Sequence, residues 1–121
     1  MRGKVEGREA RIKLTVCGPN DRRKRIVAVV DTGSEGWLTL PQKVIGELGL
    51  PRTGSVRAML ADGSEAMFDV YRAHVIWNRR RILIDVEASE ATPLVGMTLL
   101  AGCELRVEVW SGGKVSINRP T

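Results

Sequence analysis

The sequence predicts a mainly β protein with one or two short helices. Several segments alternate apolar and polar residues, which is the pattern of half-buried strands. Glycine is frequent, with 13 residues, and it separates these segments at predicted turns. Aromatic residues are only 4% of the chain, so Val, Ile and Leu must build the core, which favours strands. The length of 121 residues predicts one domain spanning residues 1–121.

The N-terminal part of the chain predicts two paired strands. Residues 1–10 lack periodicity, so we expect a mobile or edge segment there. A strand is predicted where apolar residues alternate with polar ones, at Ile12, Leu14 and Val16. The stretch 18–21 is rich in turn residues, and residues 25–30 form the returning strand.

A short strand, a helix and a hairpin are predicted next. Residues 37–40 are typical of a short strand, and Pro41 suits the first position of a helix that ends at Gly49. Residues 55–60 and 65–71 flank an Asp-Gly turn, a strong hairpin signal. The remaining predicted elements are a continuation of the second arm to Trp77, a turn at 78–79, a strand at 82–86, a loop at 88–93, a helix at 98–101, a strand through Leu105, Val107 and Val109, a turn at 111–113 and a last strand at 114–118.

An acidic residue stands where the apolar run 26–30 ends. A buried strand should not end on an unpaired carboxylate, because removing an ion from water is costly. Asp31 is followed by Thr32, Gly33 and Ser34. The two hydroxyls and the accessible glycine N–H are suitable hydrogen-bond donors to this carboxylate.

This pattern is typical of the active-site loop of an aspartic protease. In that chemistry two carboxylates face each other, share a proton and activate one water. The chain has no second Asp-Thr-Gly or Asp-Ser-Gly, and Asp62-Gly63 does not follow a buried strand. We therefore expect the second aspartate from another copy of the chain across a two-fold axis. A strand ending in Asp-x-Gly is also a common turn, so the tripeptide alone does not decide.

The order of these parts resembles the retropepsin-like aspartic proteases, and stand-alone bacterial members look closest. The resemblance covers roughly residues 10–118. Three motifs carry it: the Asp31-Thr32-Gly33-Ser34 loop, the glycine-tipped hairpin called the flap, and Leu94-Val95-Gly96 followed by the helical Thr98-Leu99-Leu100. The resemblance implies a closed β-barrel of the acid-protease fold, a homodimer, and hydrolysis of a peptide or protein substrate.

The resemblance also implies roles for individual residues. Asp31 is the implied catalytic acid, and Thr32 is expected to bond across the dimer axis. Gly33 is expected to aim its N–H at the carboxylate, and the Ser34 hydroxyl is expected to donate to it. The implied support beneath the loop comes from Leu94, Val95 and Gly96.

The flap tip is implied to contact substrate through Ala61, Asp62, Gly63 and Ser64. This tip is more polar and less glycine-rich than a typical retroviral flap. Asp62 either changes substrate preference or satisfies the turn, and we favour the turn.

Basic residues are unevenly distributed. Residues 1–25 hold nine Lys or Arg and three Asp or Glu, whereas the remainder holds ten and eleven. The run 22–25 indicates either a nucleic-acid patch or a solvated hairpin turn. We favour the turn, because the run follows turn residues and has no aromatic neighbours for base stacking. A nucleic-acid partner is therefore not expected.

The remaining polar candidates predict no metal or cofactor. Cys17 and Cys103 have no metal-like spacing and are expected to be buried thiols. His74 lies on an alternating strand and is expected to be a surface residue. Residues 1–10 are polar and no apolar run is long enough for a membrane span, so we expect a cytoplasmic protein without membrane contact.

Two functions remain open at this level. The first is an aspartic endopeptidase acting as a homodimer. The second is a non-catalytic retropepsin-fold or small β-barrel module that binds peptide or nucleic acid, because fold alone does not determine function. The intact Asp31-Thr32-Gly33-Ser34 favours the first, and a basic patch contiguous with a groove would favour the second.

Overall fold

The computed structural model describes residues 1–120, which form a ten-stranded sheet and two short helices. Strand residues make up 55% of the chain and helical residues 9%, which confirms the mainly β prediction. The elements are β1 (Arg2–Glu6), β2 (Glu9–Cys17), β3 (Arg23–Val30), β4 (Leu38–Leu40), α1 (Gln42–Leu48), β5 (Arg52–Met59), β6 (Glu65–Trp77), β7 (Arg80–Ala88), β8 (Leu94–Val95), α2 (Met97–Leu100), β9 (Glu104–Val107) and β10 (Lys114–Asn118).

The sheet turns back on itself. Its strand order is β5-β6-β7-β4-β8-β3-β2-β1-β10-β9, and β6 also pairs with β2. Strands β6, β7, β4, β8, β3 and β2 therefore form a ring of pairings. Strands β3 and β8 pair in parallel, as do β4 and β7, and the other neighbours are antiparallel. Strand β5 extends the sheet from β6, and β1, β10 and β9 extend it from β2.

The N-terminal segment is not the mobile or edge segment predicted for residues 1–10. Strand β1 lies inside the sheet, between β2 and β10. Val5 is buried in the core, at 3% exposure. A Cβ on Gly3 would lie 1.9 Å from the Arg11 carbonyl oxygen, so only glycine permits this close strand approach. The Met1 ammonium donates to the Ile117 carbonyl at 2.7 Å, which secures the chain end.

The core consists of the apolar residues that alternate along the strands. No polar or charged residue is buried among residues 1–120. Ile12, Leu14 and Val16 all face this core, as predicted, and Cys17 is buried beside them. Trp77 is the buried tryptophan. None of the helices formed by residues 1–120 is long and apolar enough to cross a membrane.

The turns and helix ends follow the predicted chemistry, with small shifts. Pro41 is the N-cap of α1 instead of its first residue, and Gly49 ends the helix with a φ of 64°. Asn78 and Arg79 form the predicted tight turn between β6 and β7, and both have positive φ.

The C-terminal strand prediction extends too far at Val109. Strand β9 ends at Val107, and Val109 is 72% exposed in the segment that follows. The chain turns there because the Gly113 N–H donates to the Trp110 carbonyl at 2.8 Å. Val109, the third apolar residue of the predicted alternation, therefore lies outside the strand.

We predict that Ile84→Ala lowers the free energy of unfolding by about 2–4 kcal/mol, because it leaves a cavity in the core. Ile84 is 2% exposed, whereas its neighbour Leu83 is 49% exposed. Leu83→Ala is the matched control and should change stability by less than about 1 kcal/mol. Urea unfolding followed by circular dichroism measures both. Equal losses in the two variants would contradict this assignment of the core.

Candidate active site

The Asp31 loop occupies residues 31–37, between strands β3 and β4. Strand β8 lies between these two strands, parallel to β3 and antiparallel to β4. The chain therefore leaves β3 on one side of β8 and returns as β4 on the other. Val95 at the centre of this arrangement is completely buried. The loop is thus built around β8, where the sequence analysis expected Leu94 and Val95 to support it.

Three hydrogen bonds determine the backbone around Asp31. Its N–H donates to the Val95 carbonyl at 2.9 Å, and its own carbonyl accepts the Ser34 N–H at 3.1 Å. Its carboxylate Oδ1 accepts the Gly33 N–H at 2.9 Å. The carboxylate therefore has a defined position and one fixed backbone donor, and Gly33 makes the contact that was expected of it.

The far side of the loop is bound to the start of α2. Four hydrogen bonds join the two segments, and all of their acceptors are loop carbonyls. They are Gly96 N–H to Trp37 at 3.1 Å, Met97 N–H to Ser34 at 2.7 Å, Thr98 N–H to Gly36 at 3.2 Å, and the Thr98 hydroxyl to Glu35. The loop is therefore fixed on both sides by hydrogen bonds to its backbone.

Gly96 permits the closest of these approaches. A Cβ at this position would lie 2.3 Å from the Gly36 carbonyl oxygen. The φ of Gly96 is −97°, which any residue can adopt, so the requirement for glycine is steric. Gly96 therefore lies directly against the loop at Gly36, and its role in supporting the site stays a prediction.

The residues of the loop differ in their exposure. Asp31 and Ser34 are half-buried, whereas Thr32 and Gly33 are exposed. The expected hydrogen bond from the Ser34 hydroxyl to the Asp31 carboxylate is absent from the part of the chain that the structure describes. Ser34 instead contributes its backbone to the loop.

The hairpin of β5 and β6 projects from the sheet. Residues 52–59 pair only with β6, and β6 acquires its second partner, β7, only from Val70 onward. Val56 opposes Phe68 and Ala58 opposes Ala66, so these four side chains lie on one face. The projecting hairpin therefore presents an apolar face without a second strand layer behind it.

The hairpin tip is shaped by Asp62. Its carboxylate accepts the Ser64 hydroxyl and, at 2.9 Å, the Ser64 N–H. These hydrogen bonds lower the pKa of Asp62 from its ordinary value, and the bond from the Ser64 hydroxyl has the largest effect. The Gly63 N–H donates to the Leu60 carbonyl at 3.0 Å, with a φ of 85° at Gly63. Asp62 thus satisfies the turn, which is the alternative that we favoured.

Exposed apolar side chains lie at the same end of the sheet as Asp31. Strands β3 and β2 pair where Val29 opposes Arg11, and β2 and β1 pair where Ala10 opposes Val5. Val5 of β1 in turn forms backbone hydrogen bonds with residues 112–113. The turn that carries Val109 and Trp110 is therefore three strand spacings from β3, or about 14 Å. Trp110 is 62% exposed, and Met97, beside the loop, is also exposed.

Comparison with known proteins finds matches among solved structures. No family model and no curated protein matches the chain. The EIAV protease complexed with the inhibitor HBY-793 superposes with a TM-score of 0.54 at 14% identity, covering 78% of this chain and 86% of that one. A retropepsin-like aspartic protease from Rickettsia conorii superposes with a TM-score of 0.56 at 18% identity, covering 95% and 90%.

The chain has the retropepsin-like fold. The fold prediction is confirmed by these superpositions and by the mainly β structure. Because both sequence identities are low, these superpositions show the fold only, and the activity has to be argued from the residues.

The hydrogen bonds of the loop also show contacts that sequence analysis missed. The carbonyls of Glu35, Gly36 and Trp37 bind α2, and the Thr98 side chain is a donor in this contact. A hydroxyl residue two positions after Gly96 was the available signal, but carbonyl acceptors leave no trace in side-chain identity. No group of three or more metal-ligating side chains occurs among residues 1–120.

We predict that Gly96→Ala destabilises the protein by about 1–3 kcal/mol, because the added methyl group overpacks against Gly36. A Cβ on Gly46, within α1, would meet no atom within 4 Å, so Gly46→Ala is the matched control. Alanine favours helix there and should raise stability by up to about 1 kcal/mol. Thermal unfolding of both variants measures the difference. A neutral Gly96→Ala would mean that the loop and α2 are not tightly packed.

Proposed function

We propose that the chain is an aspartic endopeptidase that acts as a homodimer, with one Asp31 from each subunit. The observation that carries the proposal is a single, rigidly held carboxylate at an exposed end of a retropepsin-like fold. Asp31 has a fixed donor on Oδ1 and is followed by two exposed residues, Thr32 and Gly33. Such an arrangement is half of a two-carboxylate site.

A second copy supplies the missing half in this proposal. Two carboxylates that face each other at close range share one proton, because both cannot be ionised together. The ionised Asp31 removes a proton from a water molecule, whose oxygen attacks the peptide carbonyl carbon. The protonated Asp31 of the partner subunit gives its proton to the carbonyl oxygen. Collapse of this intermediate transfers a proton to the leaving nitrogen and breaks the C–N bond.

Exposed apolar residues support a subunit contact at the Asp31 end. Trp110, Val109 and Met97 are all exposed there in a single chain. Exposed apolar groups of this size mark interaction sites, and tryptophan is prominent among residues that dominate interfaces. A two-fold contact at this end would bury them and bring the two Asp31 loops together. Thr32, which is also exposed, would then bond across the axis.

The flap supports a peptide as the substrate. An extended peptide can add to the edge of a projecting hairpin through backbone hydrogen bonds. The apolar face formed by Val56, Ala58, Ala66 and Phe68 would contact its side chains. The tip of the hairpin, which includes Ala61 and Asp62, would lie over the backbone of the bound peptide. We therefore propose substrates with apolar residues near the cleaved bond.

We predict that Asp31→Asn lowers peptide hydrolysis by at least about 100-fold, because general acid–base catalysis contributes 10²–10⁴-fold. The substitution removes the ionisable group and preserves the side-chain shape. The unfolding temperature should therefore not fall, and the oligomeric state should not change. Cleavage of a mixed peptide library, followed by mass spectrometry, measures the activity.

Asp21→Asn is the matched control for this experiment, since Asp21 is exposed in the turn before β3 and asparagine tolerates its positive φ. This control should cleave as the unsubstituted chain does. Full turnover in Asp31→Asn would refute the catalytic role. A chain that cleaves no member of the library would instead favour the non-catalytic binding module.

We predict that Trp110→Ser weakens the dimer about 30-fold, as expected for an interface residue that contributes about 2 kcal/mol. Leu83→Ser is the control, because Leu83 is exposed on β7 and is not one of the apolar residues proposed for the contact. Sedimentation equilibrium over a range of concentrations measures both dissociation constants. Unchanged values for Trp110→Ser would place the contact elsewhere. An active chain that stays monomeric would refute the homodimer.

A further inference from the structure

We propose that the outer face of β1, β2 and β3 binds a nucleic-acid double helix through its phosphates. This face carries a groove of about 500 Å³. We call it the basic groove and define it by its lining residues, which are Arg2, Gly3, Lys4, Glu6, Arg11, Ile12, Lys13, Arg25 and Val27. None of these residues belongs to the Asp31 loop, so the proposal does not depend on the peptidase.

The strand register places the cations side by side. Lys4 opposes Arg11 between β1 and β2, and Thr15 opposes Arg25 between β2 and β3. Opposed residues of antiparallel strands point to the same face, and so do residues two apart. Arg2 and Lys13 therefore share the face with Lys4 and Arg25. Charges drawn from three separate strands meet in one groove.

The acids near the groove neutralise only one of these cations. Glu6 and Glu9 both pair with Arg11, at 3.1 and 2.9 Å. Within the described residues 1–120, no acid lies within 4.0 Å of Arg2, Lys4, Lys13 or Arg25. The groove therefore holds four unpaired cations, while the two glutamates leave one excess negative charge at Arg11.

A like-charge pair extends the face beyond the groove. Lys4 directly opposes Lys114 of β10, and Lys114 has no acid within 4.0 Å of its ammonium among the described residues. Like charges directly opposite each other destabilise a sheet. An anion bound on this face would relieve that repulsion. The face thus has an electrostatic cost that a polyanionic ligand would offset.

The spacing of the cations matches a densely charged polymer. Residues two apart on a strand are about 6.6 Å apart, and neighbouring strands are about 4.8 Å apart. A nucleic-acid duplex carries one negative charge per about 1.7 Å of axis, so several phosphates fall within reach of the four cations. The aliphatic stems of Lys and Arg, together with Val27, form the floor of the groove.

The composition of the groove favours a duplex over other polyanions. Among residues 1–120, no aromatic side chain lines it, and single strands are held largely by bases that stack on aromatic rings. Of the described residues, Val27 is the only large apolar one exposed in the groove, whereas a membrane-binding face inserts several. Contacts to phosphates alone predict binding without sequence preference.

The test is fluorescence anisotropy of the full chain with a labelled 20-base-pair duplex, at several salt concentrations. The logarithm of affinity should fall with the logarithm of salt at a slope near −3.6, for about four phosphate contacts. The double variant Lys13→Glu with Arg25→Glu should bind at least about 10-fold more weakly, with a slope shallower by about 1.8.

The matched control reverses two other exposed arginines, Arg80→Glu with Arg81→Glu, at the start of β7. It has the same net charge and should bind within about threefold of the unsubstituted chain. Equal losses in both variants would mean attraction to net charge alone and would overturn the site. If thermal unfolding shows that the glutamate variant is not folded, Lys13→Gln with Arg25→Gln replaces it.

Competitors identify the ligand. The duplex should bind more tightly than a single strand of the same length, polyglutamate, or vesicles containing anionic phosphatidylserine. Tighter binding to any of these three would overturn the assignment of a double helix. Cleavage of peptides by the glutamate variant should be unchanged, so loss of duplex binding and loss of peptidase activity can be told apart.

Discussion

The position of β8 between β3 and β4 is the constraint on which the site depends. This strand has only two residues, yet it pairs with both neighbours and receives the Asp31 N–H on Val95. Its continuation into α2 then binds the carbonyls of the loop. The loop cannot shift without breaking hydrogen bonds on two sides. The carboxylate is therefore held by backbone geometry, which side-chain motion does not disturb.

The surface separates three chemical environments around this rigid centre. Apolar exposure concentrates on the flap and at the Asp31 end, whereas the outer face of β1, β2 and β3 is basic. A peptide, a second subunit and a polyanion would each meet a different one of these surfaces. Because no surface is shared, the three proposed contacts do not compete.

Much of the fold could be predicted because the alternating pattern is direct evidence of which residues face a core. Ile12, Leu14 and Val16 show this in β2. The same logic failed for β1, where Gly3 stands at a close strand contact and Val5 alone marks the buried face. One apolar residue is too little for a period to be recognised.

Part of the candidate site could be predicted from residue types, whereas the backbone contacts between the loop and α2 could not. Asp31 and Gly33 could be recognised from their residue types, and the Gly33 N–H donates to the Asp31 carboxylate. The Ser34 hydroxyl was expected on the carboxylate, but the loop uses the Ser34 backbone in its place. The basic groove escaped sequence analysis because a search for runs finds residues 22–25, whereas the groove collects its cations from three strands.

The cations also bear on the Asp31 site. Arg11 comes nearest, since it opposes Val29, two residues before Asp31, and Arg11 is the cation that two glutamates neutralise. Arg25 lies six residues along the strand, about 20 Å away, which is more than the Debye length of about 8 Å at physiological salt. The nearest cation of the groove is thus paired with acids and the farther ones are screened, so the basic face is compatible with the site proposed at Asp31.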